Sequence, residues 1–380
     1  MAGRAARGAL RRGSGVLFLV TALGLAGLVG PDAARAAGET LLSWPALASP
    51  PASPGEAAAP DPAASPETPD APAPGEPFSE LSFFVTPKLE RLVHSHTSYE
   101  FGNPLDANLN PLSRLEFPLN SWWGGAELGL GTPRWRLDLA FLTSFPGQDN
   151  IGPMRDSDWE DSESPGVRTI YSETQTKLKE SYNLDAKLSV SLRDEISPWA
   201  WLDIRPLVGF RWQKLVFLTH DGMQQSLDFD PDSEDYGTWT YDPLTGETLW
   251  FRQEYWHAYL GLQLVADLAR LGLGEPGQGW QVSLTGDVAR VWGENLDRHL
   301  LRGDRETRES TKGYGLHTAL ALRAPLTAWA ALVLSAEYLY IDTQGDHTLR
   351  DFGEDIITFD YGVRVWSQQA GVTMGVEFSF

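Results

Sequence analysis

Two short stretches carry the residue types that hydrolytic chemistry needs. In Met154-Arg155-Asp156-Ser157-Asp158-Trp159-Glu160-Asp161, four acids crowd around a tryptophan. On an extended chain, residues two apart share a side, so Asp156 and Asp158 can point the same way. Facing carboxylates repel. They persist together when they share a proton, hold a cation or water, or serve catalysis. An isolated Asp-x-Asp is more often a solvated acidic loop. The second stretch, Asp297-Arg298-His299, shifts that balance, because a carboxylate that orients an imidazole is a common general base. Whether the two stretches meet depends on the fold that carries them.

The chain begins with Arg4, Arg7, Arg11 and Arg12, an apolar run from Val16 to Val29, and Ala34-Arg35-Ala36. That is the pattern of a secretory signal over 1–36, with a run too short for a spanning helix. No later apolar run reaches the length of a transmembrane helix. There is no cysteine, which excludes disulfides, thiolate metal sites and a cysteine nucleophile. The formal charge is -21; residues 1–36 hold five Arg and one Asp, so their removal leaves -21 - 4 = -25. An acidic exported chain argues against nucleic acid and for cationic partners, with a peptide or protein substrate expected on a monomer. Residues 37–80 are dominated by Pro, Ala, Ser and acids, and read as a disordered tether.

From Leu81 to Phe380 the pattern becomes alternation. Val372, Met374, Val376, Phe378 and Phe380 interleave with Thr373, Gly375, Glu377 and Ser379. Leu202, Ile204, Val208, Phe210 and Trp212 interleave with Asp203, Arg205, Arg211 and Gln213. Apolar outside and charged inside is the signature of a strand between lipid and a wet lumen. About ten such runs predict an all-β, ten-stranded antiparallel transmembrane barrel over 81–380, with tryptophan girdles that include Trp122, Trp123, Trp135, Trp201, Trp256 and Trp280. The phase switch between Leu115/Phe117/Leu119 and Ala126/Leu128/Leu130 predicts a bulge near 122–125. Short turns and long loops alternate, and the long ones fall near 102–110, 146–170, 218–251, 295–311 and 343–361. Short turns belong on the periplasmic side, with the termini, and long loops outside.

Asp156 and Asp158 then lie in the second long loop, and Asp297 and His299 in the fourth, on roughly opposite walls of the mouth. That arrangement suggests a water between an Asp pair and an Asp–His dyad. His299 would take its proton, Asp297 would hold the imidazole, and Asp156 and Asp158 would position the water and stabilise developing charge.

On these residues the chain resembles the omptins, outer-membrane endoproteases of Gram-negative bacteria. The resemblance spans the barrel. It is carried by Asp156-Ser157-Asp158-Trp159 with Asp161-Ser162 and Ser164-Pro165-Gly166, and by Asp297-Arg298-His299 in the matching loop. It implies aspartic-type, water-mediated hydrolysis of peptide bonds at an extracellular groove of a bacterial outer membrane, without a metal. It implies an acidic pocket for a basic residue before the cut, with Glu100 at one pocket position. The second pocket position is Asn295, a departure from the family's acid. It also implies dependence on lipopolysaccharide, for which Lys214 matches one lipid-binding position while Phe210, Trp212 and Glu254 do not match others. No further cofactor is expected.

Other clusters have plainer readings. Asp228, Asp230, Asp232 and Glu234 lack the Gly and closing Glu of a calcium loop, and read as an acidic rim that attracts substrate. His94 and His96 are too few for a metal site. Ser172 has no neighbouring base. The competing function is a binding or structural barrel, such as an adhesin, that keeps the shape without turnover.

Overall fold

A computed structural model describes residues 81–380, apart from 104, 107–108, 198, 273–278, 304 and 352–353. The segments read as signal and tether lie outside the described residues. The order of elements is β1 (Ser82–Phe101), β2 (Ser113–Pro118), β3 (Trp122–Gly131), β4 (Trp135–Ser144), β5 (Pro153–Asp158), β6 (Ile170–Leu178), β7 (Tyr182–Val190), β8 (Leu202–Leu227), β9 (Trp239–Asp267), β10 (Gln281–His299), β11 (Glu306–Pro325), β12 (Ala330–Asp351) and β13 (Glu354–Ser379). All pairings are antiparallel, and β13 returns to β1. Three pairs of strands, β2/β3, β4/β5 and β6/β7, are single staves interrupted midway. Near the short turns the ring runs β1-β3-β4-β7-β8, and near the opposite mouth β1-β2-β5-β6-β8. The result is a closed ring of ten staves, as the alternation predicts.

The alternation sorts the side chains as expected. Val372 and Met374 are exposed on the outer wall, while Thr373 and Glu377 are buried inside. Outward apolar residues form a belt that runs on β9 from Ala266 to Trp256 and along β10 from Val282 to Trp292. Trp212, Trp256 and Trp292 are register neighbours at its upper edge. Tyr182 stacks on Trp212 and Phe141 on Tyr182, extending that girdle. Trp122 is exposed, as a girdle residue should be. Trp123 is not: it is 2% exposed and donates Nε1 to Ser121 Oγ at 2.9 Å inside the barrel.

Within the belt the lumen is paired charge. Arg136 meets Asp138 at 2.6 Å and Glu377 at 3.2 Å, Arg211 meets Asp185 at 2.8 Å, and His317 meets Asp287 at 2.7 Å. These groups line a cavity of about 720 Å³. Above it the inward face turns apolar. Phe117 lies flat on Phe251 (centroids 4.3 Å, 7°), Phe217 sits 5.1 Å from Phe117, and Tyr99 stacks on Phe251 at 5.4 Å. Leu115, Leu119 and Leu215 complete this plug, each 0–2% exposed.

The plug explains the phase switch in the second stave. Inward parity is unbroken from Leu115 and Phe117 through Trp123 to Glu127, so there is no bulge near 122–125. The apolar residues change side because the apolar surroundings change, from plug inside to lipid outside. The register shift lies instead on β1, between Val93 and His96, where His94 takes φ 49°. One extra residue there exchanges the two faces of the strand.

The strands also run further than alternation predicts. Most of the stretches expected as long loops are hairpin extensions, with β8 reaching Leu227 and β9 starting at Trp239. Beyond the plug both faces of a strand are largely polar, so the period-2 signal disappears while the backbone ladder continues.

Candidate active site

The extended staves set the direction of each functional group. On β2, Leu115 and Phe117 enter the plug, so that face is inward. On β5, Asp156 is paired with Leu115 and Asp158 with Ser113, which turns both carboxylates inward. On β10 the ladder to β9 and β11 is continuous from Gln281 to Arg298. Asp287 in the lumen fixes its parity, and Asn295, Asp297 and His299 follow on the same inward face. Both acidic stretches therefore lie on strands rather than in loops. The strand backbone is a firmer support, and it places them at the same mouth of the barrel, above the girdle.

The two groups feel one another. Asp156 is half-buried with Oδ1 fully enclosed. Desolvation first, then Asp158 and Asp297, hold its carboxyl well above the usual carboxylate range. Desolvation also raises Asp158, against a hydrogen bond from Ser113 and the charges of Arg302 and His299. Asp297 is wholly buried. Its carboxyl is raised by that burial, and the charge of His299 and a hydrogen bond from Tyr99 act the other way. His299 Nε2 stands 3.7 Å from Asp297 Oδ2, an ion-pair separation rather than a hydrogen bond. An acid pair that retains a proton, facing an imidazole beside a carboxylate, can hold a water, take its proton and donate a hydrogen bond to an oxyanion.

Tyr99, Ser113, Arg302, Glu309 and His347 join this mouth without having been picked out by residue type. Tyr99 donates its hydroxyl to Asp297 Oδ2. Glu309 is the register partner of Asn295. Its buried carboxylate lies 3.0 Å from His347 Nδ1, and His347 stacks on Phe101. Asn295 is 5% exposed, and its amide oxygen and nitrogen find no hydrogen-bond partner among the described residues.

Glu100 does not reach the groove. The bulge on β1 turns Tyr99 inward and Glu100 outward, where its carboxylate accepts from Arg114 Nε at 2.7 Å. Arg114 and Arg364 both lie over the Trp366 ring on that outer wall. Lys214 is on the outer wall too, in register with Tyr182 and Glu254, one step beyond Trp212 and Trp256. Ser172 is buried opposite Asp156. His96 faces outward above the bulge. Asp228, Asp230 and Asp232 cap the β8–β9 connection, where Asp228 and Asp230 accept from the amides of Asp230 and Asp232 at 3.1 and 3.0 Å.

No family model matches the chain, and no curated protein does. Solved structures do. The outer-membrane protease OmpT of Escherichia coli superposes with a TM-score of 0.65 at 17% identity, covering 79% of this chain and 97% of that one. The outer-membrane protein OprG of Pseudomonas aeruginosa covers 79% and 95% at 10% identity, with a TM-score of 0.32. At these identities the OmpT likeness establishes the fold: an omptin-like, ten-staved barrel of the outer-membrane type.

Proposed function

We propose that the chain is an outer-membrane endopeptidase that cleaves peptide bonds in a groove at the outward mouth of the barrel. The observation that carries the reading is that Asp156 and Asp158 on β5 and Asp297 and His299 on β10, far apart in sequence, turn inward at the same mouth above an aromatic floor. Water held between the sets attacks the peptide carbonyl. His299 takes its proton, and Asp297 supports the imidazolium. The C–O bond forms as the carbonyl becomes an oxyanion, which the protonated member of the Asp156–Asp158 pair stabilises. The C–N bond then breaks as His299 returns the proton to the amine.

Glu309 beside Asn295 supports a preference for a basic residue before the cut, in place of the acid that the resemblance expects at Asn295. Outward orientation fits the longer extensions at this mouth and the belt below it. Lys214, just above the girdle, is suited to a lipid phosphate, which supports a lipopolysaccharide requirement.

Refolded barrel, with and without lipopolysaccharide, is tested on quenched peptides carrying basic or neutral central residues. His299→Ala is expected to lower kcat by about a hundredfold to ten-thousandfold, the usual contribution of a general base. Absence of cleavage by folded wild type under every lipid condition overturns the reading and leaves a binding barrel.

A further inference from the structure

The residue that the first stave contributes to the site is an aromatic hydroxyl. We infer that Tyr99 is the positioning residue of the dyad: its hydroxyl donates to Asp297 Oδ2 and fixes the carboxylate that faces His299. The inference rests on the endopeptidase reading for its catalytic consequence, though not for its geometry.

Three observations support it. First, Asp297 is 0% exposed, and its Oδ1 has no hydrogen-bond partner among the described residues. A carboxylate in that setting stays ionised only with help from donors or opposite charge. His299, at 3.7 Å, gives charge but no hydrogen bond, whereas Tyr99 gives the hydrogen bond. Second, the phenol cannot drift. Its ring is held between Phe251 at 5.4 Å and Phe101 at 6.3 Å, both nearly parallel to it, and it is 1% exposed. Third, the orientation depends on a specific backbone feature. Without the extra residue between Val93 and His96, Tyr99 would face the outer wall and Glu100 would occupy the groove.

Other charges also reach Asp297 from the elements around it. They are Asp156 on β5, His299 on β10, Glu309 on β11 and His347 on β12, with Asp158 and Arg302 beside Asp156. The acids make the surroundings more negative and make it harder for Asp297 to remain ionised. A neutral donor offsets that without adding a charge that would oppose protonation of His299.

The sign of the effect follows. A donor hydrogen bond lowers the proton affinity of a carboxylate. Without it, Asp297 and His299 together take up their first proton at a higher pH, and the apparent value of the pair rises. The acidic limb of the rate profile reports that value. A hydrogen bond to a charged group corresponds to roughly one to two pH units.

The test is Tyr99→Phe, which keeps the ring and its stacking, alongside Tyr255→Phe as a buried-tyrosine control on the neighbouring wall. Each is followed by peptide cleavage against pH and by NMR titration of labelled histidine, with the His299 signal assigned from His299→Ala. The expected result is a kcat reduced about tenfold or more, KM within about twofold of wild type, and an acidic limb and His299 titration moved up by one to two pH units, with the control unmoved. An unshifted limb and titration, or a loss confined to KM, would show that Tyr99 only packs. If wild type cleaves nothing, the endopeptidase reading fails while the His299 titration still decides the role of Tyr99.

Discussion

Replacing Phe251 by Ala tests whether the plug is the rigid floor of the site. Phe251 is 0% exposed and contacts three rings: Phe117 at 4.3 Å, Tyr99 at 5.4 Å and Phe217 at 6.0 Å. Truncating a buried phenylalanine costs about 3–5 kcal/mol, the larger values where the surroundings cannot collapse. Here they cannot, since Phe251 lies in a β9 ladder hydrogen-bonded on both sides, to Phe217 on β8 and Asp297 on β10. About 4–5 kcal/mol is therefore expected. Part of that is specific ring contact, about 0.5–1.5 kcal/mol per pair. A cycle with Phe117→Ala should return a coupling of about 1 kcal/mol. The assay is urea unfolding of the folded barrel in detergent micelles, followed by tryptophan fluorescence, for wild type, both single variants and the double. A loss below about 1 kcal/mol with no coupling would refute the idea of a packed floor. It would also remove the argument that Tyr99 is held in place by stacking.

Two further outcomes follow from the same geometry. Asp156→Asn should stabilise the barrel at pH 7 more than at pH 4. The folded carboxyl is raised above its unfolded value, so its contribution is complete below the unfolded value and is lost as pH rises through the folded one; urea midpoints that differ equally at both pH values would contradict this. Glu100→Gln should leave kcat/KM for basic peptides within about twofold of wild type, because its carboxylate pairs with Arg114 on the outer wall. A tenfold fall specific to basic substrates would put Glu100 back in the pocket.

The fold was legible wherever one side of a strand met lipid. Val372 to Phe380 and Leu260 to Leu264 alternate because only one face of each is apolar, and those staves lie where alternation puts them. Legibility ended at the girdle. Above the plug both faces are largely polar, and the extensions read as loops although they are strands. Two effects then masked each other on β1. Phe83, Val85, Leu89, Val93, Tyr99 and Phe101 all fall at odd positions, yet the bulge turns the last two from lipid to plug. Phe83 and Val85 face out while Tyr99 and Phe101 face in, and a reading by parity alone cannot separate them. The catalytic candidates were legible because carboxylate spacing and an Asp-x-His pattern survive any such shift. Tyr99 was not, because nothing in its residue type distinguishes a plug tyrosine from one that reaches a carboxylate.

The physical tension at the mouth is the strongest argument that it is a working site. Asp156, Asp158 and Asp297 are drawn together in a desolvated wall, where each raises the proton affinity of the others or suffers the same loss of water. A barrel selected for stability alone would replace them with the apolar residues that fill the plug one layer below, or pair them as Asp185 and Arg211 are paired in the lumen. In the lumen, Arg136 with Asp138 and His317 with Asp287 are paired in the same way. The Asp156–Asp158–Asp297 cluster departs from that pairing and is built on strands rather than loops, which is what a catalytic constellation requires: groups kept reactive by incomplete compensation, and held by a scaffold stiff enough to bear it.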